Sequence, residues 1–185
     1  MGQRPSNVTP VAALVAVLLL APGSKAHAGD DLSVRDVQLH VLLEVQAWMA
    51  ESSDVFVHNQ LRLIITNLND ALDPSRWIDG NHPVPGHVGL RVFLETAQAV
   101  RGLQTLADHR DDLRAEAEER ARQLAEEMRR LADRAAQEGD FFGTILAFLG
   151  LQMDRGDRQS DAGHPERAIV HYANAWRAVV DCVRC

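Results

Sequence analysis

The polar residues best suited to chemistry lie in one loop, residues 73–86, and at the start of the segment that follows it. They are Asp79, Asn81, His82 and His87, and the loop around them contains three prolines and two glycines. Imidazole and carboxylate groups are ligands of transition metals, so Asp79, His82 and His87 could form an open metal site. Asp, Asn and His are also ordinary turn residues beside glycine and proline. We therefore predict a polar binding surface without a bound metal or cofactor, and keep metal binding as the alternative.

The same loop carries apolar side chains that can hold it in place. Trp77 and Ile78 precede the polar cluster and give the loop groups to bury, which predicts an ordered loop packed against the rest of the domain. We expect Trp77 to be a buried anchor that completes the predicted binding surface. Tryptophans can also line a ligand pocket, but we interpret Trp48, Trp77 and Trp176 as core residues.

Patterns typical of catalytic centres are weak in this sequence. No serine stands in a Gly-x-Ser-x-Gly elbow, which rules out that nucleophile motif. Acidic pairs such as Glu118-Glu119 and Glu126-Glu127 occur in a segment rich in arginine, where ion pairs on a solvated helix face are expected. We therefore expect a protein that is not an enzyme.

The chain has two cysteines, Cys182 and Cys185, in a Cys-x-x-Cys pattern at its C-terminal end. In an oxidising compartment such a pair can close a disulfide, and this is our prediction. Free or intermolecular thiols remain an alternative. Metal binding is another, although two thiolates supply only half of a tetrahedral zinc site.

The N-terminal residues have the pattern of a signal peptide. Arg4 precedes an apolar run over residues 11–21, and a small-x-small cleavage site follows at Ala26-His27-Ala28. A run of this length is too short to cross a bilayer, which needs about 20 apolar residues, so an uncleaved anchor is the less favoured alternative. We predict cleavage near Ala28 and a secreted or periplasmic domain of residues 29–185. The protein is then not an integral membrane protein.

Charge excludes two classes of partner. The chain has 19 basic and 26 acidic residues and a net charge of −7. Both Arg4 and Lys25 lie in the predicted signal peptide, so the processed chain is more acidic still. Nucleic acid and anionic membrane surfaces are therefore unfavourable partners.

Hydrophobic periodicity predicts an all-α fold, a single bundle of five to six helices with one ordered loop at about residues 73–86. Apolar residues recur every three or four positions in the segments 34–50, 54–72, 87–107 and 165–180. Asp54 is a candidate N-cap, and Pro165 suits a first helical position. A heptad seam over residues 117–135 predicts a bundle helix within 110–138, with a coiled-coil dimer as the alternative.

The predicted core lies late in the chain. Residues 141–153 are nearly all apolar, which predicts a helix buried on most sides at the centre of the bundle. The polar residues 154–163 are expected to form a turn region before the last helix.

Two motifs resemble a helical module that recurs in secreted bacterial proteins, often at the C-terminus of larger multidomain surface proteins. One is a Trp-x-Asp-Gly-x-His loop at residues 77–82, followed by a Val-Phe step at 92–93. The other is an Ala-Ile-x-His-Tyr-x-x-Ala-Trp helix at residues 168–176. The resemblance covers most of residues 61–180 and implies a helical fold and an extracytoplasmic location, but no activity. The last hairpin is also similar to part of a tetratricopeptide repeat.

Together these features predict an extracellular or envelope-associated interaction or structural module without catalysis. Its partner would be a protein or a component of the cell envelope. The alternative is a helical bundle that binds a small ligand or a metal, through the loop histidines or the terminal thiols.

Overall fold

The computed structural model describes residues 32–139 and 143–182. Within these ranges the chain is an all-α bundle, as the sequence predicts. The six described helices are α1 Val34–Glu51, α2 Val55–Ala71, α3 His87–His109, α4 Arg114–Glu138, α5 Thr144–Asp161 and α6 Pro165–Cys182. A 3₁₀ turn, Pro74–Arg76, and two short strands, β1 Trp77–Asp79 and β2 His82–Pro83, lie between α2 and α3. None of the helices in the described ranges is long and apolar enough to cross a membrane.

Helix α3 is the central element of the bundle. It packs against α2, α4 and α6, while α1 lies against α2 and α4. Close approach of α2 and α3 depends on Gly102, because a Cβ there would lie 2.5 Å from Ile64 Cγ1. Most of the largest wholly buried side chains come from α2, α3, α4 and α6, and they include Leu61, Ile64, Leu68, Phe93, Leu103, Leu124, Met128, Ile169 and Tyr172.

The helix starts follow ordinary capping chemistry. Ser33 and Asp36 form a capping box at α1, since each side chain accepts from the backbone N–H of the other residue. Asp54 caps α2 as predicted, and its side chain accepts from the Val57 N–H at 3.1 Å. Pro165 is the first residue of α6, where a missing N–H costs no helical hydrogen bond.

The predicted heptad seam is confirmed as the buried side of a bundle helix. Ala117, Ala121, Leu124, Met128 and Leu131 are all buried in the core. Helix α4 begins at Arg114, later than predicted. Residues 110–113 form a turn, in which Arg110 Nε donates to Asp112 Oδ1 at 2.7 Å.

The prediction of a central buried helix at 141–153, followed by a polar turn region, is wrong for the described residues. Helix α5 runs on to Asp161 and packs chiefly against α6. Leu146, Phe148 and Leu151 are 57%, 42% and 43% exposed, whereas Leu149 is buried. Residues 141 and 142 lie outside the described residues.

Tertiary contacts explain why α5 continues through its polar half. Gly156 lies against the ring of Tyr172, where a Cβ would be 2.7 Å from Cδ1. Arg129 Nε donates to Asp157 Oδ1 at 2.7 Å, and Tyr172 donates to the same oxygen at 2.9 Å. A glycine and charged residues that read locally as a turn are thus packing and pairing positions of a helix.

The expected burial of Ile78 is also wrong. Ile78 is 66% exposed, because successive side chains of a strand point to opposite faces and Trp77 takes the inner one. On α3, Leu94 is exposed, since Val92, Phe93, Thr96 and Ala97 occupy the inner side of the helix.

Candidate functional site

The predicted loop is a β-hairpin whose turns are fixed by aspartates. Asp73 Oδ1 accepts from the Ser75 N–H at 2.9 Å, and this hydrogen bond is the main reason that the pKa of Asp73 is lowered. Asp79 Oδ1 accepts from the Asn81 N–H at 2.7 Å across the tip of the hairpin. Such contacts are how aspartate stabilises turns. The strands pair antiparallel with an irregular register, Trp77 opposite Pro83 and Asp79 opposite His82.

Trp77 anchors the hairpin in the core, as predicted. Its side chain is buried, and its indole Nε1 donates to the carbonyl of Ala71, the last residue of α2, at 2.8 Å. At the base of the hairpin, the Val84 N–H donates to the Arg76 carbonyl at 2.8 Å. A buried and hydrogen-bonded indole fits the predicted role of Trp77 as a structural anchor.

The tip of the hairpin holds the start of α1. Asn81 Oδ1 accepts from the Val34 N–H, and the Gly80 carbonyl accepts from the Arg35 N–H, both at 3.1 Å. These contacts satisfy two of the amides that a helix N-terminus leaves without helical partners. Glycine is needed at position 80, because a Cβ there would lie 2.6 Å from Ser33 Oγ.

His82 links the hairpin to the end of α4. Its Nδ1 lies 2.8 Å from Asp79 Oδ2, and its Nε2 lies 3.2 Å from Glu138 Oε1. Only the imidazolium form can donate from both nitrogens. The hydrogen bond to Asp79 raises the pKa of His82 most, partial burial opposes it, and Glu138 raises it further. The pKa of Asp79 is lowered, first by the Asn81 N–H and then by His82.

Beside this link lies a pocket of about 390 Å³, bounded by the hairpin, the last turns of α4 and α6. Most of its lining is apolar, and its polar side chains come from the hairpin and α4. The apolar lining residues are Ile78, Pro83, Pro85, Leu131, Ala135, Trp176, Val179 and Val180, and the polar ones are Asn81, His82, Arg134 and Glu138.

The pocket contains only some of the predicted binding residues. Asn81 and His82 line it, whereas Asp79 reaches it only through its contact with His82. Trp77 lies in the core. His87 is exposed as the first residue of α3 and is absent from the described lining of the pocket.

Arg134 and Glu138 are the charged pocket residues of α4 that sequence reasoning missed. Arg134 is half-buried, and it makes no ion pair or hydrogen bond with the described residues. Glu138, one turn further along α4, is held by His82. Because α4 is rich in charged residues, the sequence does not distinguish Arg134 from the arginines of its solvated face. The available signal was Ala135, a small residue that ends the apolar seam and leaves space beside the proline-containing hairpin.

Among residues 32–139 and 143–182, no group of three or more His, Cys, Asp or Glu side chains is arranged to hold a metal ion. Both ring nitrogens of His82 are already engaged by carboxylates. Cys182 is the last described residue and Cys185 lies outside, so the disulfide stays a prediction.

Comparison with protein-family models, with curated proteins and with solved structures finds no match to this chain. The resemblance of residues 61–180 to a module of secreted bacterial surface proteins therefore stays a prediction. The pocket and the residues that line it are the physical basis for a functional assignment.

Proposed function

We propose that this chain is an exported interaction module without catalysis, and that it binds its partner in the pocket between the hairpin, α4 and α6. The observation that carries this proposal is that two distant sequence motifs meet there. The Trp-x-Asp-Gly-x-His loop contributes His82, and the final Ala-Ile-x-His-Tyr-x-x-Ala-Trp helix contributes Trp176. An apolar cavity with a few convergent polar groups is the usual place for a binding site, and here it joins segments that are distant in the sequence.

The chemistry of the lining supports binding. Its apolar surface suits an aliphatic or aromatic group, and a few polar side chains at the edge can orient that group. His82 is occupied by Asp79 and Glu138, so its structural role accounts for its position. The partner would be a protein or a component of the cell envelope that inserts an apolar group.

Export is proposed from the N-terminal pattern and from the module resemblance. The first 28 residues lie outside the described residues. If the full chain is produced in a bacterial host, the extracytoplasmic form should begin near Gly29, which N-terminal sequencing would establish. Recovery of the chain only in the cytoplasm, with its N-terminus intact, would contradict export.

A small-molecule ligand is the second candidate, because a pocket of about 390 Å³ lies in the size range of small-ligand sites. The two candidates share one site. They differ in whether the apolar group belongs to a polymer or to a free molecule.

Binding at the pocket can be tested by filling it. Ala135 lines the pocket, so Ala135→Trp should occupy its volume, whereas Ala115→Trp places the same side chain at an exposed position near the start of α4. Peptides from a displayed random library would be selected on the wild-type domain. We expect enriched peptides that bind the wild type and Ala115→Trp equally but lose binding to Ala135→Trp. Selected peptides that bind all three proteins equally would contradict the assignment of the site.

A further inference from the structure

We infer that the pocket takes an apolar group bearing a single carboxylate, and that Arg134 pairs with this carboxylate. This inference rests on the proposed function, since it names the ligand chemistry of the same site. Three observations carry it. Arg134 has no counter-ion among the described residues, the acidic groups Asp79 and Glu138 contact His82, and most of the remaining lining is apolar.

Arg134 is a cation at an apolar surface without a counter-ion among the described residues. It lies on the last turns of α4 beside Leu131 and Ala135, and it is half-buried. Other arginines of the same helix are paired: Arg120 with Glu44, Arg129 with Asp157 and Arg130 with Glu127. A planar guanidinium favours a carboxylate, with which it forms two parallel hydrogen bonds.

The acidic groups near the pocket are committed elsewhere and limit the charge of the ligand. Asp79 and Glu138 both contact the ring of His82. Because these two carboxylates occupy both ring nitrogens of His82, Arg134 is the cation that stays available to a ligand within the described lining. A single carboxylate matches one guanidinium, whereas a dianionic phosphate would meet repulsion from Asp79 and Glu138.

The apolar lining fixes the other half of the ligand. Trp176 and Val179 of α6, Leu131 and Ala135 of α4, and Pro83 of the hairpin surround a volume of about 390 Å³. An acyl chain or the last side chains of a peptide could bury apolar surface there. A fatty acid and a hydrophobic peptide C-terminus share this chemistry, an apolar body that ends in a carboxylate.

The test uses defined probes and the folded domain of residues 29–185. Decanoate is compared with decan-1-ol, and acetyl-Leu-Leu with its C-terminal amide, by titration calorimetry and by the indole N–H resonance of Trp176, which reports on the pocket. The variants are Arg134→Leu and Arg134→Gln. Arg122→Leu is the control, because Arg122 lies on the same helix but pairs with Glu119 in solvent.

We expect at least one carboxylate probe to shift the Trp176 resonance and to bind about tenfold more tightly than its neutral counterpart, as for a hydrogen bond to a charged group. Both Arg134 variants should remove this preference, and Arg122→Leu should keep it. Preference for decanoate would identify a fatty acid as the source of the carboxylate, and preference for the peptide acid would identify a chain terminus.

Two results would overturn the inference. If each acid and its neutral counterpart bind equally and neither Arg134 variant changes this, the pocket binds apolar groups without reading a carboxylate, and the proposed function stands. If no probe binds while peptides blocked by Ala135→Trp are selected, the ligand chemistry is wrong but the site is right. Failure of the proposed function itself would appear as selected peptides that ignore Ala135→Trp.

Discussion

The imidazole Nε2 of His82 lies 3.2 Å from Glu138 Oε1, so the tip of the hairpin is joined to the last turn of α4 by residues 56 positions apart. Asp79 holds the other ring nitrogen at 2.8 Å. Of these three side chains, His82 and Glu138 line the pocket. Its strength depends on the proton that His82 carries.

Replacing His82 should destabilise the domain, relative to the wild type, by more at acidic pH than at alkaline pH. The pKa of His82 is raised above its ordinary 6.5 by Asp79 and then by Glu138, against the effect of burial. For a raised pKa, the added stability is fully present below the unfolded value and is lost as pH rises through the folded value. The free-energy difference between the wild type and His82→Gln should therefore be larger near about pH 5 than near about pH 8.5 in urea denaturation.

The difference between the two proteins is the quantity to measure, because His171 titrates with the opposite sign. Burial first, and then Arg155 and Arg158, lower the pKa of His171, which weakens the fold as pH falls below the unfolded value. This effect is common to the wild type and the variant. His58→Gln, at an exposed position of α2, is the matched control. A difference between wild type and His82→Gln that stays constant with pH would contradict the link.

Trp77→Ala should destabilise the domain by about 3 kcal/mol, because it removes a buried aromatic side chain and leaves a cavity. Trp77→Phe should cost less, since it retains most of the packing and loses the hydrogen bond to the Ala71 carbonyl. Urea denaturation of the two variants separates these terms. A loss below about 0.5 kcal/mol for Trp77→Ala would show that the indole is not a core anchor.

Gly89→Ala and Gly150→Ala should change stability in opposite directions. At position 89 a Cβ would meet the Val84 carbonyl, would lie 2.9 Å from Pro83 Cβ and would lie 2.7 Å from Trp176 Cη2, so the hairpin and α6 would have to separate. At position 150 no atom lies within 4 Å of a Cβ, and alanine should add up to about 1 kcal/mol of helix stability. Thermal denaturation gives the sign of each change. A stabilised Gly89→Ala would mean that the three elements meet less closely.

The buried pair Gln38 and Thr96 gives another test. Gln38 Nε2 donates to Thr96 Oγ1 at 2.8 Å, and Thr96 Oγ1 donates to the Val92 carbonyl at 2.6 Å. Gln38 Oε1 has no hydrogen-bond partner among the described residues. Thr96→Val leaves a buried amide without its acceptor, which should cost about 1–3 kcal/mol. Gln38→Leu removes that amide and leaves Thr96 bonded to Val92, so its stability should be unchanged or higher. Urea denaturation that ranks the two variants in the reverse order would refute this account.

Local patterns predicted most of the helices, because burial on one face repeats every three or four residues. In α6 the predicted stripe from Ala168 to Val179 is buried as expected. The same reasoning failed for α5, since an apolar run does not reveal how many sides of a helix have neighbours. It also ended that helix too early, at residue 153, because the polar residues that follow, among them Gly156 packed against Tyr172, are typical of a turn.

The candidate site was predicted only in part, because the sequence displays local motifs but not the contacts between distant segments. Asn81 and His82 stand in a local motif that the sequence displays. Arg134 and Glu138 become pocket residues only through the placement of α4 against the hairpin, a long-range relationship that periodicity within one segment does not encode. His87, exposed at the start of α3, is not among the described lining residues of the pocket, and its assignment to a binding site stays a prediction.

The two hydrogen bonds between the hairpin tip and the start of α1 provide a way to measure opening of the tip by amide exchange. The Val34 amide is held by the Asn81 side chain, and the Arg35 amide by the Gly80 carbonyl. Their solvent-exchange rates therefore measure how often the tip opens, without any label in the pocket. A ligand that steadies the tip would slow exchange at these two amides first, before the global unfolding rate changes.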